Sequence, residues 1–561
     1  MRKKRKPLPV VRTELNPIFE GCYTTHSDIK RANRQCENLL LDMETIAALA
    51  HLLGKDYPAQ NLETFWQKVL FNQFHDILDG SAISESYRYS LNLAEEVLSK
   101  SKNLINDSLV FIAGQVNTCG EGIPLLVFNQ LGWVRSEPVE FELPCEFSGK
   151  EGYLKDCEGK NIPVQVIENK KGLFIAENIP SFGYKTYWLN EGTGNCSNGG
   201  NISADRETGI FETRYYRLEV TPDTGVIRRL YDKINKKEVL SIGRSVAEDP
   251  SSYWAETCGN LLQISQEKPH QMSAWIIGNI LRTENLLGLE EFKILENGPV
   301  RLVLGIKRRY SNSSLNQKII LYANLPQIDF SLFTDWQEKG SSREGVPLLR
   351  VKFRVAFDGP QAEFETPFGW QVRQSEGKEL PALKVVSLAE RNYRFGLLNR
   401  EKYGYLVDGN NISLTILRNP YEPDPLPDNG PQRVDYRLRF GRLRKQEMAK
   451  EASSYNRPLY TVVGANRPGK LPSTLSFLKF HSSSCIPSSL YRALNGKGLM
   501  LRFYESTGHK GKVFLEFNFP VRKIIKTDLL GRGNHSIQVR QKKSSLSFNK
   551  YSLNTIRLLS D

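Results

Sequence analysis

The sequence predicts an α+β multidomain protein, mostly β overall, in which an N-terminal three-helix bundle is followed by antiparallel β-sandwich domains. Three observations lead there. Apolar residues recur with helical spacing from residue 27 to about 112. From about residue 120 the pattern changes to short runs rich in β-branched and aromatic residues, separated by turn signals. And 561 residues are too many for one hydrophobic core.

The first helix shows one apolar face through Ile29, Ala32, Cys36, Leu39, Leu40, Met43, Ile46 and Ala50, with Ser27 and Asp28 able to cap its start and Gly54 and Pro58 ending it. A second stripe uses Trp66, Val69, Leu70, Phe74, Ile77 and Leu78, and Gly80 suits its C-terminal end. A third uses Ile83, Tyr87, Leu91, Ala94, Val97, Leu98, Leu104 and Ile105. Three amphipathic helices with short links make a bundle. Beyond it, Ile123–Phe128, Leu173–Ala176, Tyr216–Val220 and Arg301–Lys307 read as strands, with turns at Pro222–Gly225, Glu296–Gly298 and Asp408–Asn410. Strand after strand without intervening helices argues sandwiches. The expected division is a basic, extended tail over 1–17, the bundle over 18–112, a small β-sandwich over 113–191, a linker over 192–204, a large β super-sandwich over 205–480 and a C-terminal β domain over 481–561. Ser453–Ser473 reads as a loop-like stretch.

Composition narrows the function. No run of eighteen apolar residues occurs, so no membrane span is expected. Met1 to Lys6 is charged like the start of a signal peptide, but no apolar region follows, which points to a cytoplasmic protein or to a true N-terminus further upstream. The net charge of +14 is spread along the chain, with clusters at Arg2–Lys6, Arg437–Lys445 and Arg540–Lys543. No zinc-finger, RNP-like or basic–aromatic pattern accompanies them, so they read as solvated faces and tails, with no nucleic-acid partner. The eight cysteines include no CxxC pair and read as reduced thiols, one or two disulfides staying open.

The sharpest local signal is Asn72-Gln73-Phe74-His75-Asp76-Ile77-Leu78-Asp79-Gly80-Ser81. Continued as one helix, it places Asn72, His75, Asp76 and Asp79 on a polar stripe opposite the apolar one. A neutral imidazole is a common zinc ligand, and a carboxylate beside it can orient a ring or hold a sugar hydroxyl. A catalytic zinc needs about three protein ligands, however, and this motif supplies one or two. On spacing alone, a His-Asp dipeptide on a solvent-facing helix is usually a plain surface feature.

Taken with Glu14 to Thr25, then Lys30, Asn33-Arg34 and Glu37, the motif resembles the helical middle domain of glycoside hydrolase family 38. Val127-Phe128-Asn129 with Trp133 and Arg135, Asp335-Trp336-Gln337-Glu338, Pro367-Phe368-Gly369, Leu417-Arg418-Asn419-Pro420 and Leu501 to Glu505 follow in that family's order over nearly the whole chain. The resemblance implies a retaining, zinc-using α-mannosidase acting on mannose-containing oligosaccharides, with a galactose-mutarotase-like super-sandwich. It implies that His75 is a zinc ligand, that Asp76 holds a sugar hydroxyl, that Phe19 stacks on the sugar, and that Asp428, in the loop Pro423 to Gly430, lies near the sugar. In the family, an N-terminal α/β domain supplies the remaining zinc ligands, the nucleophile and the acid/base carboxylate. This chain begins where that domain would have ended, so none of its residues is expected to be catalytic, and a partner chain carrying the α/β domain is implied. Two departures stand out: His26 follows Tyr23-Thr24-Thr25 where the family commonly has Arg, and Gln432 stands where a histidine is usual. The alternative reading is a non-catalytic, carbohydrate-binding remnant of a truncated α-mannosidase. Either way Ile18 and Phe19 are expected at the surface.

Overall fold

The structure, a computed structural model, describes residues 9–10, 18–147, 150–196, 200, 202–242, 257–374 and 376–560. The run Arg2–Lys6, the Glu14–Pro17 part of the first motif and residues 197–199 and 201 of the expected linker lie outside the described residues.

The bundle is made of α1 (Ser27–Leu52), α2 (Ala59–Asn72), a single turn α3 (His75–Leu78) and α4 (Ser84–Ala113). Its core does not close on itself. Cys36, Leu40, Met43, Val97 and Ile105 belong to the same apolar cluster as Leu490, Leu501, Phe517 and Leu558 of the C-terminal β region. Two segments nearly four hundred residues apart thus bury each other, and neither face is complete alone. Two large antiparallel sheets face each other across a second core. One has nine strands and runs from Glu291–Asn297 through Gln327–Trp336 and Gly430–Gly441 to Gly369–Val372; the other has six and includes Leu261–Glu267, Pro347–Arg354 and Asn411–Arg418. This is the expected super-sandwich. No helix among the described residues is long and apolar enough to cross a membrane, and all eight cysteines are free thiols.

Five expectations change. The second helix stops at Asn72, because Asn72 turns inward to donate to Ser90 O (2.8 Å) and Gln73 donates to Asn33 (3.0 Å) and Glu37 (2.8 Å). Phe74 is then extended (ψ 141°), and helix resumes for one turn at His75. The four polar residues therefore do not share one helical face, and Leu70 and Phe74 of the expected apolar stripe are exposed. Ser27 does not cap α1 through its own side chain, and Asp28 takes only the next N–H, Ile29 N to Oδ1 2.7 Å; the cap at Ser27 comes from Asp428, 401 residues away, accepting from Ser27 N (2.7 Å) and Ser27 Oγ (3.0 Å). A polar helix, α5 (Lys445–Asn456), interrupts the β region, its buried side including Met448, Ala449, Ala452 and Tyr455. Within Ser453–Ser473, Tyr460–Val463 is a strand that pairs with Ile123–Asn129, and Thr474–Ser476 pairs with Gly183–Glu191, so the chain returns to the small sandwich before residue 480. Finally, the Arg437–Lys445 cluster is only partly a solvated face: Arg442 and Arg444 are exposed, but Arg437 is buried against Asp329, Nε to Oδ1 2.5 Å, and Lys445 pairs with Glu363.

Candidate functional site

His75 sits at a corner built by long-range clamps. Lys30 is buried, and its ammonium donates to the carbonyls of Thr25, Leu78 (3.1 Å) and Asp79 (3.2 Å), using all three of its protons. Gly80 follows at φ +90°; a Cβ there would stand 2.6 Å from Thr25 O, so only glycine lets the turn close on the 20–25 segment. Asp79 accepts from Ser81 N (3.2 Å) and Ser81 Oγ (2.8 Å), which ties off the turn. The 20–25 segment is fixed in its own right. Gly21 N donates to Trp275 O (2.9 Å), and Thr25 Oγ1 donates to Gly21 O (3.0 Å) and Ala274 O (3.1 Å). Behind it, Arg418 and Glu267 are both fully buried and paired in a fork, Nε–Oε1 2.6 Å and Nη2–Oε2 2.8 Å, with Arg418 Nη2 also donating to Ile276 O.

On this frame the His75 ring stands out from the surface, its side chain 79% exposed. It lies 4.3 Å from the Phe74 ring, centroid to centroid, and 3.7 Å from Asp76 Oδ1. Asp76 is exposed as well. Ile18 and Phe19 are exposed, as are Leu70, Phe71, Phe74, Ile83 and Tyr89. Asp428, by contrast, is fully buried, its carboxylate taken up by Ser27, while Lys402 Nζ donates to Ser27 Oγ. The structure thus puts His75 and Asp76 together on open surface and Asp428 beneath, at the start of α1.

Burial governs the charges below. It pushes Lys30 and Lys402 down to about 8, against nearby carboxylates that include Asp428 for both, and it raises Asp428 above the usual carboxylate range. Burial and the Asp79 carboxylate push the Cys22 thiol up to about 12, so it is no nucleophile. His26, in left-handed backbone at φ 54°, stacks on Tyr87 and lies 3.3 Å from both Asp28 and Asp424. Burial alone would lower its pKa; the two carboxylates outweigh that and raise it. Among the described residues no three His, Cys, Asp or Glu side chains gather as a metal site.

Sequence reasoning missed Lys30 as the clamp, His26 with Asp424, and Glu267 with Arg418. Only the glycine at 80 hinted at a tight approach.

A helical bundle sharing its core with β-sandwiches, with one His-Asp corner presented outward, matches known proteins along nearly its whole length. The family description "Alpha mannosidase middle domain" fits residues 18–112, "Glycosyl hydrolases family 38 C-terminal domain" fits 211–426, and "Glycosyl hydrolases family 38 C-terminal beta sandwich domain" fits 484–556. Alpha-mannosidase G of Dictyostelium discoideum is 26% identical over 97% of this chain and 52% of its own length; mouse alpha-mannosidase 2C1 is 26% identical over 97% and 50%. The crystal structure of an α-mannosidase from Enterococcus faecalis superposes with a TM-score of 0.79 at 15% identity, covering 97% of this chain and 68% of that one. These matches define a glycosidase architecture. The chain belongs to glycoside hydrolase family 38, and it spans about half the length of the curated relatives it matches.

Proposed function

We propose that this chain supplies the bundle side of a retaining, zinc-dependent α-mannosidase site for mannose-containing oligosaccharides. One observation carries the reading. The His75 ring, at the position of the family's signature, is exposed on a rigidly clamped corner, and among the described residues no hydrogen bond holds it. A catalytic zinc takes about three protein ligands, and the described residues gather no such set. His75 therefore fits as one donor of a shared set, the others coming from an α/β domain in the same or a separate polypeptide.

Zinc, when bound, would polarise and orient the sugar oxygens it contacts. This chain's own residues do the rest. His75 offers an imidazole nitrogen. Asp76, beside it, accepts from a sugar hydroxyl. Phe19 gives a ring face for the apolar side of the sugar. The exposed Ile18, Phe19, Leu70, Phe71 and Phe74 form apolar surface suited to cover by that domain, which would also exclude water from the site.

The test is to mix this chain with the α/β domain of a family relative and follow release of p-nitrophenol from its α-mannoside. Activity should emerge on mixing, and chelation or His75→Ala should abolish it. A mixture shown to associate yet inactive, or equally active without His75, would overturn the proposal.

A further inference from the structure

A second feature lies elsewhere and shares no residue with the His75 corner. An open cleft of about 720 Å³ runs between α5, the small sandwich and the three-stranded sheet of Leu478–His481, Gly511–Phe517 and Lys543–Phe548. Its lining includes Lys450, Lys479, Lys512 and His481 and contains no Asp or Glu.

The sheet register explains the charge. Lys479 stands opposite Glu516, His481 opposite Phe514, and Lys512 opposite Ser547, so these side chains share the outer face. Lys543, opposite Glu516, adds a further cation to it. Only Glu516 answers them there, at 3.0 Å from Lys479. Across the cleft, Lys450 is half-buried with its ammonium 5.8 Å from the centre of the Trp133 ring. Its nearest acidic neighbour on α5, Glu447, is bound to Arg444 at 2.9 Å. Among the described residues neither Lys450 nor Lys512 has an ion-pair partner.

Lysines of one sign gathered in a cleft repel one another and focus a positive potential, which an anion would relieve. Amid them Phe514 is 55% exposed, an apolar ring standing open on a charged face. Such a ring is a plate for the carbon face of a sugar, and the volume suits a small saccharide. Ser482 and Ser483 line the same wall and offer hydroxyls.

We propose that this cleft is a second ligand site, one that takes a phosphate monoester carried on a sugar, the lysines holding the phosphate and Phe514 the ring. Calorimetry on the full chain at low ionic strength, with mannose 6-phosphate, inorganic phosphate and mannose as probes, tests it. Mannose 6-phosphate should bind at least tenfold more tightly than either other probe. Lys450→Gln with Lys512→Gln should weaken it tenfold or more. Phe514→Ser should weaken the sugar phosphate while leaving inorganic phosphate unchanged. If the double variant fails to fold, the exposed Lys512→Gln alone serves and should weaken binding at least threefold. Equal affinity for mannose and its phosphate, or lysine variants that bind as the parent does, would overturn the anion site. Equal affinity for the sugar phosphate and inorganic phosphate would overturn its assignment to a saccharide.

Discussion

Replacing Lys30 with methionine tests whether the His75 corner is held as described. Methionine fills a similar volume but donates nothing. Three carbonyls, the buried one of Thr25 and the part-buried ones of Leu78 and Asp79, lose a charged donor, at about 1.5–3 kcal/mol each, or at most roughly 5–9 in sum. Against that, burial has pushed the ammonium down to about 8, a penalty on the charged form of about 3 kcal/mol that the variant removes. The hydrogen bonds win, and the net loss is about 2–6 kcal/mol. It falls on the 74–82 turn, because α1 keeps its core contacts with α4 and the C-terminal strands. Hydrogen exchange read by mass spectrometry on a peptide covering 74–82 should therefore quicken about thirtyfold or more, at about 1.4 kcal/mol per tenfold. Protection in that peptide equal to the parent's would refute the clamp.

Three further outcomes follow from the same frame. Asp428→Ala removes the cap of α1 and the carboxylate nearest the buried Lys402, and should cost about 3–5 kcal/mol by urea unfolding; Asp428→Asn, which keeps an acceptor, should cost less. Gly80→Ala meets Thr25 O at 2.6 Å from a backbone at φ +90°, and should destabilise by about 1–3 kcal/mol with the same peptide exchanging faster. The stabilising effect of His26 should depend on pH. Its raised pKa makes its contribution complete below about 6.5 and lost as pH rises through the folded value, while the lowered pKa values of Asp28 and Asp424 make theirs complete above about 4 and lost on acidification. The melting-temperature advantage over His26→Asn, a residue that tolerates left-handed backbone, should be widest between those limits.

Much of the fold was legible in the sequence because its signals are local. The 3.6-residue spacing of Ile29 to Ala50 marks α1, and Tyr216–Val220 stands in the structure with the bounds read from its residue types. What escaped is set by distant partners. Helical spacing runs on past Asn72, and only Ser90, Asn33 and Glu37, which draw Asn72 and Gln73 inward, reveal that the helix ends there. Helix α5 was missed because its Lys-Gln-Glu start and Ser-Ser-Tyr-Asn end make a weak apolar stripe. At the candidate site, the motif singled out His75 and Asp76 as facing outward, and both are exposed, though not on the continuous helical stripe that the spacing suggested. Lys30, Glu267 with Arg418, and the burial of Asp428 were not legible, since each depends on a contact 48 to 401 residues away. Hydrophobic spacing records which face is buried, but not which distant polar group meets it.

Cobalt(II) uptake, read by visible absorption, probes the shared metal site most directly. Added to this chain together with a family α/β domain, cobalt should give a saturable low-symmetry spectrum at one equivalent, and His75→Ala should weaken binding at least tenfold and shift the bands as a nitrogen donor is lost. A spectrum and affinity identical with and without the His75 ring, in halves that demonstrably associate, would contradict the account.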